Sequence, residues 1–107
     1  MNLYTVTFTP EAEEQLAALY RYIAAAASPV VAERYTSAII TYCEGMHVVP
    51  NRGTRRDDIR PGLRITNYKR RAVIAFAVDD AALRVIIIGI YYGGQDYEAA
   101  FQADEDY

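Results

Sequence analysis

The sequence predicts an α+β domain in which a helical hairpin packs on an antiparallel sheet, with the element order β-α-α-β-β-β. Two helix-start signals, Thr9-Pro10 and Ser28-Pro29, each precede apolar residues at helical spacing. One alternating, β-favouring run stands before the first signal, and three more follow Gly62. A chain of 107 residues can bury one modest core, so residues 1–107 are expected to form a single domain.

The two helices are predicted from apolar residues that recur every three or four positions. The first strand should end at about Phe8, helix one should cover residues 10–26, and helix two should cover residues 29–47. The apolar stripe of helix one consists of Ala12, Leu16, Leu19, Tyr20 and Ile23. The stripe of helix two consists of Val31, Tyr35, Ala38, Ile39, Tyr42 and Met46. Because only one or two residues separate the helices, they must fold back as an antiparallel hairpin.

The second half of the chain is predicted to form an antiparallel meander. Residues 50–62 contain turn formers and show no sustained period, which predicts an exposed basic loop. Strands are expected at residues 63–67, 72–78 and 83–92, followed by a short terminal helix at residues 96–101. The helices would then cover a sheet that comes later in the chain.

Both faces of the last two predicted strands are apolar. In the final strand, Val85 and Ile87 are expected on one face, and Ile86, Ile88 and Ile90 on the other. A single helical hairpin can cover only one face of a sheet. The other face therefore needs a second cover, for which the sequence offers two candidates: a partner chain or the chain's own C-terminal end.

The formal net charge of −3 hides a strong asymmetry. The charges sum to −3 over residues 1–51, to +6 over residues 52–71 and to −6 over residues 72–107. Eight of the eleven Lys and Arg lie in the middle segment, where only Asp57 and Asp58 oppose them. Such a segment can bind phosphates, meet an acidic protein surface through its guanidinium groups, or simply solvate a loop.

No spacing of reactive residues marks a catalytic or metal centre. His47, the single histidine, falls at the end of helix two, where a solvated or dipole-stabilised side chain is the simplest interpretation. Cys43, the single cysteine, is expected to be a buried structural thiol. There is no P-loop and no dinucleotide-binding fingerprint. We therefore predict no catalytic residue, no metal and no cofactor.

The sequence also bears on location. Its first ten residues lack the basic and apolar regions of a signal peptide, and its longest apolar runs are far shorter than a membrane span. A lone cysteine suits a reducing compartment. A cytoplasmic protein without membrane contact is expected.

Three blocks of sequence resemble a known family. They are residues 4–16 (YTVTFTPEAEEQL), 52–64 (RGTRRDDIRPGLR) and 88–98 (IGIYYGGQDYE), and they look like the ParE toxins of the RelE/ParE superfamily. The resemblance implies the β-α-α-β-β-β fold, a bacterial type II toxin–antitoxin pair associated with plasmid stabilisation, and a ParD-like antitoxin that wraps the toxin in a hetero-oligomer. DNA would be contacted only indirectly, through the antitoxin.

The resemblance leaves the activity to be chosen between two branches. ParE toxins are described as acting on DNA gyrase, whereas RelE toxins cut messenger RNA on the ribosome. A nuclease needs late cations and acid–base groups, yet no Lys or Arg follows Arg84, and the acidic end would repel RNA. We therefore expect a protein-directed inhibitor. The alternatives are a RelE-like endoribonuclease and a non-toxic, antitoxin-binding relic, the latter suggested by Gln95, where an arginine is expected.

Two surfaces are predicted on this basis. The antitoxin is expected to contact either the apolar stripes of the helices, at Leu16, Leu19, Tyr20, Ile23 and Tyr35, or the exposed edge of the sheet. The target is expected to contact the basic segment and the end of the last strand, at Arg52, Arg55, Arg56, Arg60, Arg64, Lys69, Arg70, Arg71, Tyr91 and Tyr92.

Overall fold

The computed structural model describes residues 3–93, which form two helices on one face of a five-stranded sheet. In chain order the elements are β1 (Thr5–Phe8), α1 (Pro10–Ala26), α2 (Pro29–Glu44), a 3-10 turn (Gly45–His47), β2 (Thr54–Arg55), β3 (Leu63–Tyr68), β4 (Ala72–Asp79) and β5 (Arg84–Tyr92). The α+β prediction is confirmed. The terminal helix predicted at residues 96–101 lies outside the described residues. No helix within residues 3–93 is both long and apolar enough to span a bilayer.

Both helices begin where the cap and proline signals predict. The Thr9 hydroxyl accepts a hydrogen bond from the Ala12 backbone N–H at 3.1 Å, and the Ser28 hydroxyl accepts one from Val31 at 3.2 Å. Each side chain satisfies one of the backbone donors that a helix N-terminus leaves unpaired. The Thr9 hydroxyl also donates to the Ile88 carbonyl at 3.1 Å, which fixes the start of α1 against β5.

The sheet has the order β1-β5-β4-β3-β2 and is mixed rather than wholly antiparallel. The β3, β4 and β5 strands form the predicted meander, but β1 joins the far edge and runs parallel to β5. The helical hairpin returns the chain to the same end of the sheet and makes this parallel pairing possible. Within the predicted basic loop, Thr54 and Arg55 pair with Ile65 and Arg64 as a fifth, two-residue strand.

The core lies between the helices and the sheet. Phe76, Ile74 and Ile87 from the sheet meet Ile39 and Met46 from the second half of the hairpin, and all five side chains are fully buried. The predicted helix stripes supply this core with two exceptions, Val31 and Ala38. Val31 is 44% exposed, and Ala32 occupies the buried position beside it.

A second apolar cluster lies on the sheet face that the helices leave uncovered, which we call the open face. Leu63, Ile65 and Ala75 are buried there, with Ile88 and Tyr91 packed against them. The prediction that both sheet faces are apolar is therefore correct.

A β-bulge changes which residues of β5 face the helices. The register with β4 shifts between Ala75 and Phe76, so that Gly89 and Ile87 have partners while Ile88 between them has none. As a result Ile90 joins Ile87 in the helix-side core, whereas strict alternation predicted Ile90 on the opposite face. The one signal for it in the sequence of β5 is Gly89 beside Ile88, because a glycine inside a strand often marks a bulge.

Candidate partner-binding surface

The basic segment separates into two groups of cations in the folded chain. Five arginines surround β2 and the start of β3, and we call them the arginine arm: Arg52, Arg55, Arg56, Arg60 and Arg64. Three further cations, Lys69, Arg70 and Arg71, form the turn between β3 and β4, and we call them the basic tip. The eight predicted target-binding cations therefore occupy two places along β3.

The inner part of the arginine arm is held by the protein itself. The Arg52 guanidinium carbon lies 5.0 Å from the centre of the Tyr42 ring on α2, a cation–π contact. The Arg64 side-chain Nε–H donates to the Arg52 carbonyl at 3.0 Å. Arg52 and Arg64 are both half-buried. Their charges therefore also serve to anchor the β2 segment to the sheet and to α2.

The outer part of the arm is partly neutralised by its own loop. Arg55 pairs with Asp57 at 3.1 Å, and Arg56 donates two hydrogen bonds to Asp58 at 3.0 and 2.9 Å. The Gly62 backbone N–H and then Arg55 lower the pKa of the Asp57 carboxyl, while hydrogen bonds from Arg56 lower that of Asp58. Both aspartates therefore remain ionised at neutral pH and reduce the free positive charge of the arm.

The basic tip is strained. Lys69 and Arg70 have φ angles of 50° and 66°, in the left-handed region that disfavours residues other than glycine and asparagine. The turn is closed by the Arg71 N–H, which donates to the Tyr68 carbonyl at 3.3 Å. Two central residues at positive φ are the feature of a type I′ turn, which usually contains Asn-Gly. Here the turn carries cations instead.

Five tyrosine rings form a continuous row beside the basic tip, which we call the tyrosine ladder. In order the rings are Tyr22, Tyr92, Tyr35, Tyr68 and Tyr42, with successive centroids 6.2, 5.7, 6.0 and 5.3 Å apart. These distances lie in the range of favourable tilted and edge-to-face aromatic pairs. Lys69 lies over the Tyr68 ring at 5.5 Å, so the ladder and the basic tip are one surface.

Sheet pairing explains how the ladder is built. Tyr68 on β3 and Tyr92 on β5 are both register partners of Ala72 on β4. Ala72 is fully buried and small, which leaves room between the two tyrosine rings, and Tyr35 of α2 packs against both of them. The ladder thus depends on a small residue at the centre of a three-strand row.

The Tyr35 hydroxyl is the one buried side-chain polar atom of residues 3–93 without a hydrogen-bond partner. Desolvation is the main cause that raises its pKa, with Tyr92 and Tyr68 adding to the effect and Arg71 opposing it. A buried hydroxyl that makes no hydrogen bond is unfavourable to the fold.

The predicted target residues Tyr91 and Tyr92 lie on opposite faces of the sheet. Tyr92 belongs to the ladder, whereas Tyr91 packs on the open face. A Cβ atom on Gly89 would lie 2.7 Å from the Tyr91 ring, so the ring folds back along its own strand over this glycine. The fold brings Tyr92 to the basic tip and leaves Tyr91 away from the ladder.

The predicted antitoxin residues also separate by burial. Leu19 and Ile23 are only 6% and 8% exposed and belong to the core under the sheet. Leu16, Tyr20 and Tyr35 are half-buried at its border. Tyr35 lies in the ladder, so it is the member of this set that reaches the predicted target surface.

A groove of about 340 Å³ lies where α1 meets the end of β5. Its lining includes Leu19, Tyr22, Ile90 and Tyr92, so it borders one end of the ladder. At its base, the Gln15 side-chain oxygen accepts a hydrogen bond from the Ile90 backbone N–H at 2.6 Å. Gln15 thereby provides a hydrogen-bond acceptor for a backbone N–H of β5 that lies beyond Ile87, the last residue of β5 paired with β1.

The single cysteine, Cys43, and the single histidine, His47, lie in the environments that the sequence predicted for them. Cys43 is fully buried, and its burial raises the pKa of the thiol to about 12, which confirms the interpretation of a structural thiol. The exposed His47 ring lies 2.8 Å from the Glu44 carbonyl at the end of α2, where a solvated histidine was expected. Among the described residues, no three His, Cys, Asp or Glu side chains converge as a metal-binding group.

Three members of the ladder and one strand-edge contact were not predicted from the sequence. Tyr22 lies outside the apolar stripe of α1, Tyr42 was predicted only as a member of the apolar stripe of helix two, and Tyr68 follows the strand predicted at residues 63–67. The position of Tyr68 could have been predicted from the alternation of β3, because Arg64, Thr66 and Tyr68 lie on the same face of that strand. No sequence signal indicates that Gln15 reaches β5.

The comparisons with known proteins agree with this architecture. The model of a family described as the ParE toxin of the type II toxin–antitoxin system parDE matches residues 6–97. The chain belongs to the ParE toxin family. It is therefore a ParE-type toxin of a toxin–antitoxin system. None of the curated proteins compared with it matches significantly.

Solved structures share the fold of this ParE-family toxin. A chain of the chromosomal ParDE system from P. aeruginosa has a TM-score of 0.73 at 21% identity, covering 87% of this toxin and 99% of that chain. A chain of the RelBE2 toxin–antitoxin complex from Mycobacterium tuberculosis has a TM-score of 0.62 at 20% identity, covering 84% and 98%. A mutant of the E. coli toxin RelE in the free state has a TM-score of 0.55 at 13% identity, covering 96% and 97%.

Proposed function

We propose that this ParE-family toxin acts in the cytoplasm, that it inhibits DNA gyrase through protein–protein contact, and that a ParD-like antitoxin neutralises it. The observation that carries the proposal is the continuity of the tyrosine ladder with the basic tip. Tyrosine and arginine are enriched at the energetic centres of protein interfaces, where an aromatic ring is buried while its polar end stays hydrated.

The target contact is proposed on the basic tip, the arginine arm and Tyr92. Lys69, Arg70 and Arg71 are exposed, and Tyr92 links the tip to the helices. Such a surface suits an acidic protein surface, which would be attracted at long range and then meet aromatic rings at close range.

The antitoxin contact is proposed along Leu16, Tyr20 and Tyr35, with the buried Leu19 and Ile23 supporting that border from beneath. Since Tyr35 contacts Tyr92, an antitoxin that covers this border also covers part of the target surface. Neutralisation would then be a direct exclusion of the target.

The second candidate is a RelE-like ribonuclease, favoured by the fold shared with RelE and RelBE2. Against it, two outer arginines of the arm are already paired with Asp57 and Asp58. No Lys or Arg follows Arg84 in the sequence. A nuclease needs free cations to stabilise the charge that develops on the phosphate.

Inducible expression of the full chain without antitoxin distinguishes these functions. Growth arrest with a DNA-damage response, and inhibition of gyrase supercoiling by the purified toxin, are expected. Arrest with cleaved messenger RNA and unimpaired supercoiling would establish the ribonuclease, and absence of arrest would identify a non-toxic relic.

Matched variants locate the target contact. Lys69→Glu with Arg70→Glu should abolish gyrase inhibition, because the change reverses two exposed charges of the tip. Arg84→Glu, at an exposed position of β5 next to Asp79 of β4, is the control and should leave inhibition unchanged. Equal loss in both variants, or full inhibition in the first, would contradict the assignment.

The antitoxin contact is tested by titration with the purified cognate antitoxin. Tyr20→Asp should weaken the complex, since it places a charge at the half-buried border of α1. Val30→Asp is the control, because Val30 is 66% exposed at the start of α2. Unchanged affinity for Tyr20→Asp would show that the antitoxin binds elsewhere.

A further inference from the structure

The loop end of the helical hairpin carries no charge. Residues 22–32, which we call the hairpin end, read YIAAAASPVVA and contain no Asp, Glu, Lys or Arg, although 23% of the chain is charged. Besides the Tyr22 phenol, the one polar side chain is Ser28, and its hydroxyl already accepts the Val31 backbone N–H as a helix cap. The hairpin end therefore offers a partner few polar groups.

Three large apolar side chains of the hairpin end are exposed. Tyr22 is 59% exposed, Val30 66% and Val31 44%, and they are three of the six large apolar side chains exposed within residues 3–93. All three lie within about two helical turns of the loop, because each residue advances a helix by about 1.5 Å. Single exposed apolar residues are ordinary on a protein surface, whereas a concentration of them marks an interaction site.

The helix ends that meet at the hairpin end lack the charges that would stabilise them. Acidic side chains favour the N-terminus of a helix, and basic side chains favour its C-terminus. The opposite end of α1 follows this rule, with Glu11 and Glu13 in its first turn. At the hairpin end, the last turn of α1 has no basic residue and the first turn of α2 has no acidic one. The absence of these favourable charges indicates that this surface is kept uncharged for another reason.

We propose that the hairpin end is a self-association surface on which a second copy of this chain binds. A two-fold interface sets the same patch of both copies against itself, so any net charge on that patch would cause repulsion. The whole chain carries a net charge of −3, and an uncharged apolar patch lets two copies meet without a like-charge contact. A partner recognised through acidic or basic groups would find no counterpart within residues 22–32.

The size of the patch sets the strength of the association. The largest apolar patch of a monomer covers about 300–600 Å², less than the roughly 800 Å² per partner of a standard stable interface. We therefore expect reversible association with a dissociation constant on the order of 10–100 µM. Antitoxin titrations with the Val30→Asp control, run well below this concentration, are unaffected by it.

Self-association through the hairpin end would leave the basic tip accessible. Tyr22 is the terminal ring of the tyrosine ladder and lies at the end away from Tyr68, the ring that contacts Lys69 of the tip. A pair of toxin chains would present two basic tips, so that a target with repeated sites is bound with higher avidity. The inference concerns the chain itself and does not require gyrase to be the target.

Sedimentation equilibrium of the full-length toxin, at concentrations on both sides of the expected constant, tests the association. Val30→Asp should leave a monomer, because each copy brings a carboxylate into the apolar surface. The substitution should not destabilise the fold, since it adds an acidic side chain to the first turn of α2, where the helix dipole favours it. Val49→Asp, at a 51% exposed position outside the hairpin end, is the control and should still associate. A monomeric wild-type protein, or the same behaviour of both variants, would overturn the proposal.

Opposite charges at position 30 test whether the occupant is a second copy. Val30→Lys should also be monomeric by itself, but a mixture of the Val30→Asp and Val30→Lys proteins should associate roughly tenfold more tightly than either does with itself, because repulsion becomes attraction. No gain in the mixture would contradict the proposal. Binding of the wild-type protein to phosphatidylcholine vesicles without self-association would assign the hairpin end to a membrane surface and would equally overturn it.

Discussion

The rings of Tyr35 and Tyr92 meet edge to face, with centroids 5.7 Å apart and ring planes at 77°. Tyr35 comes from α2 and is proposed to contact the antitoxin, while Tyr92 ends β5 and is proposed to contact the target. The contact joins the two proposed surfaces into one. A partner that buries either ring must therefore affect access to the other, which gives a physical basis for neutralisation.

Removing the Tyr35 hydroxyl should stabilise the protein. Tyr35→Phe deletes a buried hydroxyl that lacks a partner among residues 3–93, and we expect the free energy of unfolding to rise by about 1 kcal/mol. Tyr42→Phe makes the same chemical change but breaks the 3.1 Å hydrogen bond to the Thr66 hydroxyl, so it should lower stability by about 1 kcal/mol. Urea unfolding of both variants measures the difference, and shifts of the same sign would contradict the assignment.

Substitutions that relieve the strain of the basic tip should stabilise the protein but weaken its binding to the target. Lys69→Asn with Arg70→Gly relieves two positive φ angles, and the gain in unfolding free energy should be about 1 kcal/mol per residue. Gyrase inhibition should fall because the charges are lost. Lys69→Gln with Arg70→Gln removes the charges but keeps the strain, so thermal denaturation should show no comparable gain. A stabilised variant with full inhibition would show that the tip does not contact the target.

Two glycines at similar φ angles should respond differently to alanine. Gly62 has φ 81° and open space around it, so Gly62→Ala should cost only the backbone strain of about 1–2 kcal/mol. Gly53 has φ 71°, and its added Cβ would lie 2.1 Å from the Ile65 carbonyl oxygen, so a further loss of about 1–3 kcal/mol is expected. Chemical denaturation measures both, and hydrogen exchange should show the pairing of β2 with β3 weakened only in Gly53→Ala.

The Cys43 thiol should make stability fall at alkaline pH. The unfolded thiol ionises near pH 9.0, whereas burial raises the pKa of the folded thiol to about 12. The folded state thus holds more protons between these values, so stability is full below pH 9 and decreases above it by up to about 1.4 kcal/mol per pH unit. The slope should be shallower in Cys43→Ala. Equal slopes in urea unfolding at pH 8 to 10.5 would contradict this account.

Much of the fold follows from local signals that the tertiary structure did not override. Thr9 and Ser28 cap helices at the predicted positions, and the strand run after Gly62 forms the expected meander. The parallel pairing of β1 was not predicted, because it depends on which strand lies alongside β1, and the pattern of a single strand contains no such information. The bulge at Ile88 was not predicted either, although Gly89 inside the β5 run is a residue that often marks a bulge.

The candidate site was predicted less completely than the fold. The basic segment was recognisable from composition, but its division into an arm and a tip depends on ion pairs with Asp57 and Asp58 and on the β3–β4 turn. Burial also separates residues that the helical period grouped together. Leu19 and Ile23 face the core, whereas Tyr35 at the border reaches the ladder.

The sequence by itself determined the class of fold, the helix starts, the two apolar sheet faces and the uneven distribution of charge. These properties depend on neighbouring residues and on short periodic patterns of apolar residues, which do not require contacts between distant segments of the chain. Only the tertiary structure decided that Tyr22, Tyr92, Tyr35, Tyr68 and Tyr42 form one row beside the basic tip. Their rings come from two helices and two strands, and they meet because Ala72 of β4 leaves space between Tyr68 of β3 and Tyr92 of β5, a relationship that exists only once the sheet has formed.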